Sequence, residues 1–327
     1  MKVLVTGADG LLGSNLVREL LERKCEVRAF LLPNSPSQTL DGLAIEKVEG
    51  NILSPADLKK AFQGCDAVIH AAANTNIWPD RSEMVRRVNE EGTRNIVEAA
   101  LQAKVKRMVY VGTANTFGFG SKSQPGNETQ AYKSAKYGLD YMDSKRKAQQ
   151  IVLEACQNKG LPAIVVNPTF MLGPYDSKPS AGAMIVAIYQ GKVPGYTSGG
   201  RNYIYVKDAA VAMCNALKMG RIGECYILGH HNMNYKEAFG KIASVVGVKA
   251  PGLPIPSFAS LLYGAIGSFG AKVTGKAPTV SLAMARISTD EHYFDARKAQ
   301  EELLLPQTPI EQAIRESFDW MRTHGVC

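Results

Sequence analysis

The chain has 327 residues, enough for one large α/β unit with a smaller appendage, and its 45% hydrophobic and 21% charged residues are ordinary for a globular protein. Its formal charge of +8 is spread along the chain, not gathered in an aromatic-interleaved stripe, which argues against nucleic-acid binding and toward anionic small molecules. Six cysteines with neither CxxC spacing nor a nearby histidine pair argue against a metal site or a disulfide framework, and no apolar run reaches the ~18 residues of a membrane span. The first residues read as a buried strand and not a signal peptide, so the cytoplasm is the expected location.

Val3-Leu4-Val5-Thr6 predicts a strand that passes through Gly7-Ala8-Asp9-Gly10-Leu11-Leu12-Gly13 into a helix over 11–23. Gly7 permits the sharp turn, Gly10 lets backbone approach a ligand, and Gly13 allows helix and strand to pack closely. The N–H groups of that first helical turn have no intrahelical partner and face an anion, so the segment reads as a phosphate cradle. A strand over 26–32 follows, ended by Pro33-Asn34-Ser35-Pro36, then a strand over 45–48, a helix over 55–62 and a strand over 67–73. A helix over 83–103 leads to a strand over 107–112, and a helix over 134–157 leads to a strand over 163–167. Strands that are continuous apolar runs separated by helices predict a doubly wound parallel sheet covered on both faces.

Beyond Pro168 the alternation weakens, with Gly- and Pro-rich stretches at 173–182 and 191–200. A strand over 203–206 and a helix over 207–218 are expected, and from Tyr235 on the chain reads as mainly helical, including 235–246, 257–273 and 310–323. The organisation predicted is a dinucleotide-binding domain over 1–168, to which 203–228 returns, and a smaller substrate-binding lobe from 169–202 and 229–327. In 257–273 the apolar stripe Phe258, Leu261, Leu262, Ile266 and Phe269 has only Lys272 and Lys276 nearby as cationic anchors, so packing within the lobe or against a second subunit is expected ahead of a membrane surface.

The strongest chemical signal is Tyr141-Met142-Asp143-Ser144-Lys145, which places phenol and ammonium one helical turn apart. A fixed cation beside a tyrosine favours the phenolate and is expected to bring its pKa down toward a useful range for proton transfer. Thr113, at the end of the predicted strand 107–112, offers a hydroxyl for a substrate oxygen at the same sheet edge.

With these residues in view, the chain resembles the extended short-chain dehydrogenase/reductases of the NAD-dependent epimerase/dehydratase family. Thr6-Gly7-x-x-Gly10-x-x-Gly13, His70-Ala71-Ala72-Ala73, Asn89-x-x-Gly92-Thr93, Thr113, Tyr141-x-x-x-Lys145 and Asn167-Pro168-Thr169 occur in that family's order. Asn167-Pro-Thr-Phe-Met-Leu-Gly-Pro174, and Trp78 ahead of Asn89-Glu-Glu-Gly-Thr93, are similar to the dihydroflavonol-4-reductase-like branch. The resemblance implies a Rossmann-type fold, hydride transfer between nicotinamide and a small carbonyl/alcohol substrate, and a homodimer paired through the helices near 83–103 and 134–157. It implies Tyr141 as general acid/base, Lys145 as the group that lowers its pKa and binds the nicotinamide ribose, and Thr113 as the residue orienting the substrate. Gly7, Gly10, Leu11, Leu12 and Gly13 are implied at the pyrophosphate, and Ala71, Ala72 and Ala73 beneath the adenosine. Asn34, Asn51 and Ile52 are implied toward the adenosine half, with Asn89 supporting the site and Pro168 flanking the cofactor.

Leu31-Leu32-Pro33-Asn34-Ser35 carries neither the acid that binds a ribose 2′-hydroxyl nor an arginine for a 2′-phosphate. The missing acid favours NADP over NAD, while Asp9 in the glycine turn argues the other way. Gly118 stands where the plant flavonoid reductases carry an asparagine, and Ala114-Asn115 where sugar-nucleotide dehydratases carry Asp-Glu, which speaks against a flavonoid substrate and against dehydration. A nucleotide-sugar epimerase is the alternative, and a non-catalytic dinucleotide sensor is disfavoured because both Tyr141 and Lys145 are present. Lys133, Lys136, Tyr175, Arg201 and Tyr203 are candidates to line the substrate pocket.

Overall fold

The computed structural model describes residues 1–177 and 180–327; Lys178 and Pro179, inside the Gly- and Pro-rich stretch 173–182, lie outside the described residues. In chain order the first half comprises β1 (Lys2–Thr6), α1 (Leu11–Glu22), β2 (Glu26–Leu31), β3 (Glu46–Glu49), α2 (Pro55–Phe62), β4 (Ala67–His70), α3 (Glu83–Arg86), α4 (Gly92–Gln102), β5 (Arg107–Val111), α5 (Asp140–Lys159) and β6 (Ala163–Pro168). Local chemistry sets these bounds. Ser54 caps α2 by accepting from Asp57 N, Pro55 opens its first turn, and Lys59 and Lys60 sit at its C-terminal end. α5 ends at Gly160, in the left-handed region with φ +67°.

The second half contains β7 (Phe170–Leu172), α6 (Ala183–Tyr189), β8 (Gly195–Tyr196), β9 (Gly200–Tyr205), α7 (Val206–Asn215), β10 (Cys225–Leu228), β11 (His231–Asn234), α8 (Tyr235–Val246), β12 (Leu253–Pro254), α9 (Ser257–Thr274), α10 (Leu282–Thr289), β13 (Glu291–His292), α11 (Arg297–Leu303) and α12 (Ile310–Thr323).

Seven parallel strands form the large sheet in the order β10-β6-β5-β4-β1-β2-β3. The strand order reverses between β1 and β4, which opens a crevice at the carboxyl ends of these strands. One apolar cluster runs from the sheet through α1 into α7 and α12, and a second fills the other face beneath α2, α4 and α5. The sheet is therefore covered on both sides, as its unbroken apolar strands predict. In the smaller sheet β9 pairs antiparallel with β11 and parallel with β7 and β13.

Several expected boundaries shift. Tyr203–Tyr205 belongs to the smaller sheet, because Tyr203 pairs with both Phe170 and His231; the return to the large sheet begins at α7 and not at 203. The strand expected over 67–73 stops at His70, leaving Ala71, Ala72 and Ala73 in a loop. The helix expected over 83–103 is interrupted by a π-helical turn at Arg87–Glu91. The helix expected from Ser134 starts at Asp140, since 134–137 is a 3-10 turn closed by Gly138 at φ +66°. The stripe on α9 is not packed within the lobe: of that helix only Gly264 and Ala271 are buried. Among the described residues no helix is long and apolar enough to cross a membrane, and no group of metal-ligating side chains is found.

Candidate active site

The carboxyl end of β1 is built for close backbone approach. Gly7 has φ +67°, and a Cβ there would lie 2.8 Å from Ala72 Cα; a Cβ on Gly13 would lie 2.0 Å from the Gly7 carbonyl oxygen. Both glycines are required by the fold itself. At Gly10 the nearest atom to a Cβ is 3.6 Å away, so the protein's own packing leaves room for a side chain there. Among the described residues no side chain caps α1, whose first-turn N–H groups, including those of Leu11 and Leu12, point out of the helix end.

Thr6 stitches this turn to the next strand. Its Oγ1 accepts from Ala72 N at 3.1 Å and is hydrogen-bonded to His70 Nδ1 at 2.7 Å, while Ala71 N donates to the Thr6 carbonyl at 3.3 Å. Burial, helped by the Lys145 charge, pulls the His70 pKa down to about 3, so this ring is a neutral structural link.

Around the adenosine end, Asn34 is exposed with φ +59°, and Ser35 Oγ donates to Asp9 Oδ2 at 2.7 Å. Asn51 Oδ1 accepts from Leu53 N at 2.9 Å, which holds that amide in its own turn. Ile52 is buried against Gly92, and Pro168 is the buried last residue of β6, beside Leu228.

Thr113 follows β5. Its carbonyl accepts from Asn167 Nδ2 at 3.1 Å and Thr116 Oγ1 at 2.8 Å, and both donors also reach Gln149 Oε1, at 2.7 and 2.9 Å. This buried network locks the loop after β5 to β6 and α5. It also explains Gly112, where a Cβ would lie 2.3 Å from Asn167 Nδ2.

Tyr141 lies in the first turn of α5, with the Thr113 side chain near enough to its phenol to favour the phenolate. Lys145, one turn along and buried, donates from Nζ to the Val111 carbonyl at 2.6 Å and sits 4.6 Å from the centre of the Tyr110 ring. Three predicted catalytic residues therefore meet at the end of β5. Their electrostatics differ from the sequence expectation. Burial raises the Tyr141 pKa, with the Thr113 side chain opposing, and burial pulls Lys145 down to about 7. Desolvation dominates both groups, and Lys145 Nζ is engaged by the Val111 carbonyl.

Asn89 lies in the π-helical turn. Its Oδ1 accepts from Asn74 N at 2.8 Å, and its Nδ2 donates to Asn74 O at 3.0 Å and to Ser144 Oγ at 2.9 Å. It thereby ties the loop after β4 to α5 between Tyr141 and Lys145.

A second cluster has no signal in the sequence. The Tyr137 hydroxyl donates to Asp290 Oδ2 at 2.5 Å and is 2.8 Å from His292 Nε2, whose Nδ1 lies 3.2 Å from Asn115 Oδ1. The His292 ring stacks on Phe119 at 4.0 Å. Residues some 150 positions apart thus join β13 of the lobe to the loop after Thr113. Of the five pocket candidates, Lys133, Lys136 and Arg201 gather around this cluster, Arg201 beside His292 in the smaller sheet, and Tyr175 lies apart from it. Lys133 Nζ donates to Phe119 O at 3.2 Å and Lys136 pairs with Asp290 at 2.8 Å. Arg201 donates to the Tyr235 hydroxyl at 2.8 Å, Tyr203 is buried in the smaller sheet, and Tyr175 lies under Arg18, whose guanidinium is 3.6 Å from the ring centre.

Residues 3–229 match the NAD dependent epimerase/dehydratase family. The chain belongs to that family. It is an NAD(P)-dependent enzyme of the extended short-chain dehydrogenase/reductase type. It is 34% identical to a Synechocystis protein named "Putative dihydroflavonol 4-reductase", over 98% of this chain and 94% of that one. It is 29% identical to sterol demethylase protein B of Methylococcus capsulatus, over 100% of both chains. The solved structure of a nucleoside-diphosphate-sugar epimerase from Pseudomonas aeruginosa superposes with a TM-score of 0.82 at 30% identity, covering 100% of this chain and 99% of that one.

Proposed function

We infer that this enzyme reduces a small carbonyl compound with NADPH, Tyr141 being the proton donor. The observation that carries the reading is the meeting of Thr113, Tyr141 and Lys145 at the end of β5, with a phenol whose pKa burial raises. A protonated phenol suits the reductive direction, in which the substrate oxygen needs a proton as it gains charge.

The glycine turn fits a dinucleotide. Gly10 faces no protein atom that would exclude a Cβ, so the close approach it permits is to a group in front of the uncapped α1 N-terminus, as a pyrophosphate would be. Gly7, Gly10, Leu11, Leu12 and Gly13 would hold that pyrophosphate, Ala71, Ala72 and Ala73 would lie beneath the adenosine, and Asn34, Asn51 and Ile52 would border its far end. Pro168 would flank the nicotinamide, which when bound supplies the hydride. Thr113 Oγ1 would hold the substrate oxygen, Tyr141 would deliver its phenolic proton to it, and the Lys145 ammonium would steady the phenolate left behind. Asn89 would keep the loop after β4 and the start of α5 in register.

NADP is favoured by the lack of an acid at the carboxyl end of β2, where Leu31-Leu32-Pro33-Asn34-Ser35 stands, and Asp9, fixed by Ser35, is the group that would oppose it. We also assign the protein to the cytoplasm, as a homodimer paired through α4 and α5. A second reading, nucleotide-sugar epimerisation, draws on the 30% identity to the Pseudomonas aeruginosa epimerase.

Titration with NADPH and NADH by nicotinamide fluorescence, followed by a panel of aldehydes, ketones and nucleotide sugars, separates these readings. Oxidation of bound NADPH by a carbonyl compound is the expected result. Interconversion of a UDP- or GDP-sugar without net oxidation of cofactor would replace the reductase reading with the epimerase one.

A further inference from the structure

α9 presents an apolar face that none of the described residues covers. Phe258, Leu262, Ile266, Phe269 and Val273 follow one another at intervals of four, four, three and four residues, and they are exposed to 74, 60, 63, 72 and 71%. That spacing makes a single stripe along the helix. The opposite side is seated by small residues: a Cβ on Gly264 would lie 2.7 Å from the Ala285 Cβ, and one on Gly267 would lie 2.6 Å from the Val280 carbonyl oxygen. The helix is thus held close on α10 with its large side chains turned outward. Inner-flank Leu261 lines a cavity of about 290 Å³ together with Lys136, Tyr137, Arg286, Thr289 and Asp290.

Charge distinguishes the occupants such a face could have. Between Glu237 and Asp290 the chain has no acidic residue, whereas it has Lys241, Lys249, Lys272, Lys276 and Arg286. Lys272, Lys276 and Arg286 are exposed on α9, just after it and on the α10 against which it packs. Asp80 approaches Lys272 and Arg286 from outside this segment, and even fully charged it leaves the balance of these four groups positive. An apolar stripe in a net cationic setting complements an anionic lipid surface; a second copy of the same face would set like charges against each other.

We propose that α9 lies in the interface of an anionic lipid bilayer, with Phe258, Leu262, Ile266, Phe269 and Val273 among the acyl chains and Lys272, Lys276 and Arg286 at the headgroups. The helix lies on the membrane and does not span it. The dimer face assigned to α4 and α5 leaves it free, and the proposal is independent of whether the site reduces or epimerises its substrate.

The test is co-sedimentation of the full-length protein with vesicles of phosphatidylcholine alone and with about one-third phosphatidylglycerol. The protein is expected to sediment with the anionic vesicles, and the triple variant Phe258→Ser/Ile266→Asn/Phe269→Ser to lose that binding by ~10-fold or more while keeping its melting temperature and its NADPH fluorescence. Lys272→Glu/Lys276→Glu is expected to abolish the preference for anionic over zwitterionic vesicles. As a readout that keeps the native surface apolar, Phe269→Trp should show fluorescence quenched by brominated lipid beyond the parent's Trp78 and Trp320 signal. Failure to sediment, sedimentation unchanged by the triple substitution, or a solution dimer that the triple substitution dissociates would each overturn the proposal, the last by assigning the face to a second copy.

Discussion

α1 and α9 carry similar apolar stripes and meet opposite fates. In α1 Leu12, Leu16, Val17 and Leu20 are buried between the large sheet and α7, and Arg23 at its end donates to Asn215 at 2.7 Å. In α9 the large side chains face outward, and only Gly264 and Ala271 are buried. Periodicity reports that one face of a helix is apolar, but what covers the face is decided by elements far along the chain. For α1 that element is α7, which returns to the large sheet with β10; for α9, α10 takes only the glycine side.

The sharpest way to break the comparison is at the α1 end. Gly13→Ala puts a Cβ 2.0 Å from a main-chain oxygen, so the turn must open; affinity for NADPH should fall by ~100-fold, read by fluorescence titration, and retained affinity would show that the turn is not the cradle. Leu16→Ala should cost about 3 kcal/mol of stability in denaturant unfolding, because its side chain is fully buried. Lys145 gives a pH-dependent contrast. Its pKa is depressed to about 7, so between roughly pH 7 and its unfolded value near 10.4 the unfolded chain binds more protons and stability rises with pH. Lys145→Met should flatten that rise; an unchanged slope between pH 7 and 9 would mean the ammonium is not desolvated. The smallest effect is expected at Ile266→Ala, within about 0.5 kcal/mol of the parent, since that side chain is 63% exposed. A loss comparable to that of Leu16→Ala would mean that α9 is covered after all.

The large sheet, the tight turn at Gly7, Gly10 and Gly13, and the placement of Thr113, Tyr141 and Lys145 at the end of β5 were legible because each rests on local chemistry: apolar runs, glycines at turns, and residues one helical turn apart. Three features were not. The upward shift of the Tyr141 pKa comes from burial, which spacing alone does not report. The Tyr137, Asp290, His292 and Asn115 cluster joins residues some 150 positions apart, and no pattern in either segment points to the other. A strand was expected over 203–206 and β9 spans Gly200–Tyr205, but its partners β7, β11 and β13 are short strands that propensity does not reveal.

The central claim is that Tyr141 supplies the proton at a dinucleotide site assembled at the carboxyl ends of β1, β4 and β5. It is tested most directly by following NADPH absorbance with a carbonyl panel for the parent and for Tyr141→Phe, with cofactor binding measured in parallel by fluorescence. The account predicts that the variant loses ~1000-fold in kcat while its Kd for NADPH changes by less than about threefold. Turnover that survives the substitution, or binding that collapses with it, would contradict the assignment.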